Sequence, residues 1–200
     1  MDSFLDNNRQ KMKYAFKATS LIFLIIVLIV LILGSINNQL PDFWLFLTVI
    51  LIAGLFFPVF IIGLAYLNWY NTTKIRKRIY GMNPFDGLEN IGFTKSYLNK
   101  ETKWFFTEEI KEREINDFRI ICNAEPGIIE FTALTEPLKL DKNEYKNLKV
   151  RLKEYGLSLN FEGIAKQYRV KRLKIDSIDE LKKDLEQFVN FLKHEKIKPR

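Results

Sequence analysis

Two long stretches without a charged side chain constrain this sequence more than any other feature. Residues 21–33, LIFLIIVLIVLIL, are all apolar, and residues 43–69 contain Thr48 and Asn68 as their clearly polar side chains. A helix that crosses the hydrocarbon core of a bilayer needs about 20 apolar residues, because each residue adds about 1.5 Å. The two stretches therefore predict transmembrane helices at residues 18–34 and 43–69, joined by a short extracytoplasmic loop at residues 35–42.

A cleaved signal peptide is the alternative interpretation of the first apolar stretch. Against it stand the acidic residues Asp2 and Asp6 in the leader, the lack of a small-x-small cleavage pattern, and the second apolar stretch close behind. We therefore expect a membrane protein with a two-helix transmembrane hairpin.

Basic residues flank the predicted hairpin on both sides, at residues 1–17 and 70–87, while the loop at residues 35–42 contains none. Lys and Arg are retained in cytosolic flanks, which predicts that both termini are cytosolic and that the chain is integral to the cell (inner) membrane. Trp side chains also favour the membrane–water interface. The predicted membrane-interface residues are Arg9, Lys11, Lys13, Lys17, Trp44, Trp69, Lys74, Arg76, Lys77 and Arg78.

The excess positive charge lies beside the predicted membrane spans. Residues 1–78 contain eight Lys or Arg and three Asp or Glu, whereas residues 79–200 contain 23 and 21. Despite the pI of about 9.3, this distribution argues against nucleic acid as a partner and favours a lipid bilayer with anionic headgroups. We expect the cluster KIRKR at residues 74–78 to orient the hairpin in the membrane and to attract anionic lipids in general. This interpretation is favoured over a specific lipid site.

The predicted spans offer little chemistry of their own. No ionisable residue interrupts them, so the sequence suggests no proton or ion path. Pro58, with Gly54 and Gly63 nearby, predicts a kink and close helix contact in the second span. A homo-oligomeric pore or transporter subunit, lined by Thr48 and Asn68, is an alternative function.

Residues 70–87 are predicted to form a basic juxtamembrane segment and linker, in which Gly81, Pro84 and Gly87 end the helix. Residues 88–200 then predict a small cytosolic α+β domain, an antiparallel sheet with two amphipathic helices on one face.

The strands of this domain are expected mainly within residues 103–134, opening with TKWFF. Residues 118–124 and 128–134 should form a hairpin, because Pro126 and Gly127 suit the centre of a type II turn. Residues 107–117 fit a helix or an exposed edge strand, with a slight preference for the strand.

Two helices carry start and stop signals. Asp141 and Glu144 predict the beginning of the first helix, and Gly156 offers a left-handed stop. Ser177 and Glu180 predict the beginning of the second.

Between these helices, apolar and polar residues alternate over residues 157–162. This period is typical of a half-buried strand and places Phe161 on the same face as Leu157 and Leu159. Residues 167–174 are expected to return as its hairpin partner.

Catalytic chemistry finds no support among the rare side chains. Cys122 is the single cysteine and lies in a predicted strand, where a buried thiol is favoured over a nucleophile. His194 is the single histidine, and without a second histidine or a cysteine pair nearby a zinc site has almost no support. Phosphate-binding glycine motifs are also missing. We therefore expect no metal, no cofactor and no catalytic residue, and a protein that is not an enzyme.

A cluster of carboxylates is the candidate partner surface, and it consists of Glu108, Glu109, Glu112, Glu114 and Asp117. Such residues could also serve acid–base catalysis or form a solvated charged face. Residues 101–136 contain nine acidic and four basic side chains, whereas residues 137–175 contain four and eleven. This asymmetry suits a charged protein partner or self-association.

These observations lead to one preferred function. We expect a membrane-tethered, non-catalytic interaction or regulatory module, with an immunity-type protein as a specific form of it. The pore or transporter subunit is the first alternative, and a membrane-bound hydrolase is the second.

Overall fold

A computed structural model describes residues 2–36, 42–138 and 140–200. The chain divides into two compact units. The first contains Met1–Asn71 and Asn99–Glu108, and the second contains Thr72–Leu98 and Glu109–Arg200. Of the predicted loop at residues 35–42, residues 37–41 lie outside the described residues.

The first unit is built on two long apolar helices, as predicted. Helix α1 comprises Asp2–Ile36. The second long helix consists of α2, Phe43–Leu51, a π-helical turn, Ile52–Phe56, and α3, Phe57–Tyr80. Helix α3 ends directly before Gly81, which confirms the predicted break. Both helices are long and apolar enough to cross a membrane.

The two helices run antiparallel, because early residues of α1 contact late residues of the second helix. The ring of Phe4 lies 4.8 Å from that of Trp69, whereas the Ser20 hydroxyl donates to the Gly54 carbonyl at 2.9 Å. The sequence predicts a kink at Pro58 and close helix contact near it. The Ser20–Gly54 hydrogen bond confirms the close contact, and a π-helical turn, Ile52–Phe56, lies just before Pro58.

The Gly54 carbonyl lies in the π-helical turn, four residues before Pro58. In an α-helix the carbonyl of residue 54 accepts from the N–H of residue 58, and proline has no N–H. The Ser20 hydroxyl supplies a donor from the neighbouring helix instead. Proline is tolerated in apolar helices where a Ser or Thr side chain serves the freed carbonyl in this way.

The second unit contains a six-stranded sheet in the order β1-β2-β3-β4-β6-β5. The pairs β2–β3, β3–β4, β4–β6 and β5–β6 are antiparallel, which confirms the antiparallel sheet. The strands are β1 Thr94–Leu98, β2 Glu108–Ile115, β3 Phe118–Glu125, β4 Ile128–Leu134, β5 Leu157–Leu159 and β6 Gly163–Arg169.

Two helices cover one face of this sheet, as expected. Helices α4, Lys142–Glu154, and α5, Ile178–His194, bury Leu148, Leu181 and Phe188 in one core with sheet residues such as Ile120 and Phe131. The opposite face of the sheet is called the outer face below.

The predicted helix starts and turns are largely confirmed. Asp141 and Glu144 form a reciprocal capping box at the start of α4, and Ser177 accepts a hydrogen bond from the Glu180 N–H. Gly127 and Gly156 have the positive φ angles, 79° and 68°, that a turn and a helix stop require.

Strands β1 and β2 differ in part from the expectations for residues 102–117. Residues 107–117 contain strand β2, which confirms the preference for a strand. The expectation of an edge strand is wrong, because β2 lies between β1 and β3 in the sheet. The expectation that TKWFF opens the sheet is wrong, because residues 102–106 form no strand. The sheet begins earlier with Thr94–Leu98, a segment that the sequence analysis missed.

Residues 81–87, which were predicted to be a linker, also contribute to the core of the sheet domain. Within this segment, Phe85 is completely buried, and the following Leu88 is buried with it in the core. Burial of a Phe side chain contributes about 2 kcal/mol of transfer free energy, so this segment helps to hold the domain together.

The expected strand at residues 157–162 and its partner at residues 167–174 are both wrong in their bounds. Strand β5 ends at Leu159, and β6 already begins at Gly163. A Cβ at Gly163 would lie 2.0 Å from the Ala133 carbonyl oxygen, so the close approach to β4 at this position requires glycine. Residues 160–163 therefore form a tight turn, and Phe161 lies in it.

Candidate functional site

The predicted membrane-interface residues fall into exposed and buried groups. The exposed ones include Arg9, Lys13 and Lys17 on α1, Trp44 on α2, and Lys74, Lys77 and Arg78 on α3. Lys11 and Arg76 are 8% and 5% exposed, and Trp69 is half-buried. The three buried or half-buried side chains make internal contacts.

Arg76 belongs to the second unit and bonds within it. Its Nε donates to the Asn123 side-chain oxygen at 3.0 Å. This guanidinium is therefore a structural element of the sheet domain, in contrast to its exposed neighbours Lys77 and Arg78.

Lys11 and Asn8 belong to a polar cluster inside the first unit, where they hold the segment Asn99–Glu108. The Lys11 ammonium donates to the carbonyls of Asn99 and Phe105. The Asn8 side-chain oxygen accepts from the Thr107 N–H at 2.6 Å.

Phe4 completes this cluster on the apolar side. It is 1% exposed and packs against Trp69 and Phe106, at ring distances of 4.8 and 5.2 Å. The Trp69 indole N–H donates to the Thr107 carbonyl at 3.2 Å. Phe4 and Asn8 are not among the residues predicted from the sequence. Positions 4, 8 and 11 lie on one helix face, and this spacing is a signal that indicates their shared role.

The segment held by this cluster exposes two large aromatic side chains. Trp104 and Phe105 are 74% and 65% exposed, and both belong to the unit of the apolar helices. Lys103, directly before them, places its ammonium 5.7 Å from the ring centre of Tyr14 on α1. The arrangement presents apolar rings beside basic side chains.

The acidic cluster predicted as a partner surface is divided by the two-residue period of strand β2. Glu112 and Glu114 lie opposite Ile121 and Arg119 of β3, on the outer face. Glu109, at an odd position, points to the other face and pairs with Lys95 at 2.6 Å.

The other two members of the cluster lie apart. Glu108 is half-buried and belongs to the first unit. Asp117 lies in the turn after β2, with a carboxylate oxygen 3.6 Å from the Lys193 ammonium of α5. Two members of the predicted surface, Glu112 and Glu114, thus lie together.

A network of polar side chains crosses the outer face beside them. The Glu130 carboxylate of β4 accepts from Thr132 at 2.9 Å and from Gln167 of β6 at 2.5 Å. The Arg119 guanidinium donates to Glu112 at 3.0 Å. These carboxylates are satisfied by neighbouring donors, which favours a structural or recognition role over acid–base chemistry.

Asn160 connects the turn between β5 and β6 to this network. Its amide nitrogen donates to Glu130 and Thr132, both at 3.2 Å. Its side-chain oxygen accepts from the Glu162 and Gly163 N–H groups at 3.0 and 2.8 Å. Asn and Asp side chains in turns commonly bond the backbone two residues on, and here Asn160 also bonds across the sheet.

Phe161 lies at the tip of this turn and is fully exposed. The sequence analysis missed it as a site residue, because the alternating pattern placed it inward with Leu157 and Leu159. Leu157 is buried and Leu159 half-buried, so the pattern holds up to the turn and fails at Phe161. An exposed apolar residue on a turn held by the four side-chain hydrogen bonds of Asn160 is a candidate contact for another protein.

Comparison with protein-family models, with curated proteins and with solved structures finds no match to this chain.

Cys122 and Tyr168 are titratable side chains inside the sheet domain whose pKa values are raised by burial. Burial raises the pKa of the Cys122 thiol above its usual range, and this side chain is completely buried. Burial also raises the pKa of Tyr168, and its hydrogen bond to Asp184 acts in the same direction. Lys166 pairs with Asp184 at 2.6 Å.

These groups stabilise the fold in their neutral or paired forms. A thiol with a raised pKa is a poor nucleophile at neutral pH, because the thiolate is the reactive form. Within the described residues, no group of three or more His, Cys, Asp and Glu side chains is placed to hold a metal ion.

Proposed function

We propose that this chain is an integral protein of the cell (inner) membrane that anchors a non-catalytic interaction domain in the cytosol. The observation that supports membrane anchoring is the exposure of the apolar helices. Within the most apolar window of each long helix, 6% and 11% of the residues are buried. The core helix of a water-soluble protein would bury its apolar side chains.

The exposed apolar side chains carry a large cost in water. Leaving a Leu, Ile or Phe side chain in water instead of burying it costs about 1.5–3 kcal/mol. More than twenty such side chains are exposed along these helices, among them Leu28, Ile32 and Phe60. A bilayer removes this cost, and the basic flanks around residues 9–17 and 74–78 support cytosolic termini.

The interaction site that we propose is the outer face of the sheet together with Phe161. The observation that supports it is the full exposure of Phe161 on a turn whose backbone is held by Asn160. Aromatic side chains are enriched in protein interfaces. A rigid turn also lowers the entropy cost of binding, because its conformation is set before the partner arrives.

The charge of this surface favours a basic protein partner. Within the second unit, alternation along β2, β3, β4 and β6 places four carboxylates on the outer face against two guanidinium groups. The carboxylates belong to Glu112, Glu114, Glu125 and Glu130, and the guanidinium groups to Arg119 and Arg169. The guanidinium of Arg76 also bonds Asn123 of this face but is buried. Complementary charge speeds encounter and selects partners. A regulatory or immunity-type module, which binds one protein and performs no chemistry on it, fits this surface.

The test is purification from native membranes in a mild detergent, with mass spectrometry of the intact complex. We expect a second protein in fixed ratio with the wild-type chain. Phe161→Ser should remove that protein, whereas Tyr145→Ser, which changes another exposed aromatic residue of the domain, should retain it.

Reversal of charge on the outer face tests the proposed surface independently of Phe161. Glu114→Lys with Glu125→Lys should also abolish the complex, and the control Glu136→Lys with Glu154→Lys, at exposed positions away from the outer face, should not. Retention of the partner by both outer-face variants would refute the proposed surface. A closed ring of identical chains that conducts ions in liposomes would replace this proposal with the pore.

A further inference from the structure

A groove of about 460 Å³ lies in the first unit, between α1 and the early turns of α3. Its apolar lining consists of Leu5, Met12, Phe16, Val59 and Ile62. Three basic side chains, Arg9, Lys13 and Lys17, complete the lining. The groove therefore combines an apolar wall with a row of positive charge.

The three cations lie at intervals of four residues and so share one face of α1. Among the residues that the structure describes, none of the three has a carboxylate within ion-pair distance. Like charges at this spacing repel one another. The row is therefore complementary to an anion that contacts two or three of its members at once.

The position of the groove along the helices suggests which anion this is. Lys17 directly precedes the predicted span at residues 18–34, and Val59 and Ile62 belong to the predicted span at residues 43–69. In a membrane-anchored chain, this is the depth at which lipid headgroups meet acyl chains, and long basic side chains reach the headgroups from it.

We propose that the groove binds one anionic phospholipid of the surrounding bilayer. Its phosphate lies against Arg9, Lys13 and Lys17, and one acyl chain lies along Phe16, Val59 and Ile62. A soluble anion would use the charges but not the apolar wall, and a zwitterionic lipid would leave the row of charge uncompensated. The inference rests on the proposed membrane anchoring and assigns a lipid class to a specific surface.

The experiment uses the full chain purified in a mild detergent. Native mass spectrometry and thermal unfolding are recorded with added phosphatidylglycerol, phosphatidylcholine or inorganic phosphate. We expect retained phosphatidylglycerol and a raised unfolding temperature with that lipid alone. The variant Arg9→Gln, Lys13→Gln, Lys17→Gln should bind it at least tenfold more weakly.

A matched variant removes the same amount of charge from the other basic flank. Lys74→Gln, Lys77→Gln, Arg78→Gln changes three exposed cations and leaves the buried Arg76 intact, so it should bind the lipid as the wild type does. A third variant, Val59→Trp, fills the apolar wall at an exposed position and should lower retention without changing any charge.

The possible outcomes separate this inference from membrane anchoring. Equal losses in the two charge variants would show generic attraction and overturn the groove, as would equal stabilisation by inorganic phosphate. Extraction of the wild-type chain from membranes by alkaline carbonate would instead overturn the anchoring. Retention in carbonate-washed membranes without lipid preference would overturn the groove alone.

Discussion

The Ser20→Ala substitution should destabilise the packed pair of long helices by about 1 kcal/mol. The Ser20 hydroxyl donates to the Gly54 carbonyl at 2.9 Å, and Pro58 has no N–H to serve that carbonyl from within its own helix. Alanine at position 20 removes this donor and keeps the helix intact, because alanine has the highest helix propensity.

The magnitude follows from two terms. Hydrogen bonds between helices in a membrane contribute about 0.6 kcal/mol on average and up to about 1.7 kcal/mol. A buried carbonyl without a partner costs about 1–3 kcal/mol where water cannot reach it. Since Ser20 lies near the start of the apolar stretch and is half-buried, we expect a loss towards the lower end of these ranges.

A double-mutant cycle isolates the role of Pro58. Pro58→Ala restores an N–H to the second helix, so Ser20→Ala in that background should cost less than about 0.5 kcal/mol. The free energy of unfolding is measured by titration with sodium dodecyl sulfate in mixed micelles, followed by circular dichroism. An equal loss in both backgrounds would refute the assignment of Ser20 to the carbonyl freed by Pro58.

Thr48→Val is the control for loss of a hydroxyl. Thr48 donates to the Trp44 carbonyl of its own helix at 2.8 Å, and that carbonyl also has a backbone donor available in the helix. Valine keeps the shape of threonine, so the unfolding free energy should change by less than about 0.5 kcal/mol.

Three further predictions concern the sheet domain and the aromatic segment. Gly163→Ala should destabilise the domain by at least about 3 kcal/mol, because the new Cβ would lie 2.0 Å from the Ala133 carbonyl oxygen. Gly127 has a positive φ but open space around it, so Gly127→Ala should cost about 1 kcal/mol. Urea unfolding measures both losses, and a larger loss for Gly127→Ala would contradict the tight turn at Gly163. Burial raises the pKa of the Cys122 thiol, so its contribution to stability is complete below the unfolded pKa of about 8.5 and is lost as pH rises above that value. The free energy of unfolding should fall there by up to about 1.4 kcal/mol per pH unit. Cys122→Ala should lack this decrease, and an identical pH profile in the variant would contradict the burial of the thiol. In a variant whose single tryptophan is Trp104, lipids brominated near the headgroup should quench the tryptophan fluorescence in liposomes. Unchanged fluorescence would place this side chain away from the membrane.

The acidic cluster shows which features of a surface can be predicted from the sequence alone. The concentration of carboxylates in residues 108–117 is visible in the sequence, but their grouping depends on whether the segment is a helix or a strand. Strand β2 sends Glu112 and Glu114 to the outer face and Glu109 to the other. The identity of the segment as a strand is set by its pairing with β3, which places Glu112 opposite Ile121.

The sequence by itself determined the elements whose physics is local or periodic. Uninterrupted apolar stretches give two long apolar helices, Asp141 with Glu144 begins α4, and Gly127 closes the hairpin of β3 and β4. In each case the residues that decide the structure lie within a few positions of one another or repeat at the period of the element. No distant contact is needed to recognise them.

Only the tertiary structure decided which side chains are buried, paired or presented. Asn8 bonds Thr107 across 99 positions of the chain, Arg76 is buried against Asn123, and Phe161 is exposed because Gly163 lets β6 begin early beside Ala133. These outcomes depend on a hydrogen bond or a steric limit between residues far apart in sequence, and neither hydropathy nor spacing along one segment contains that information.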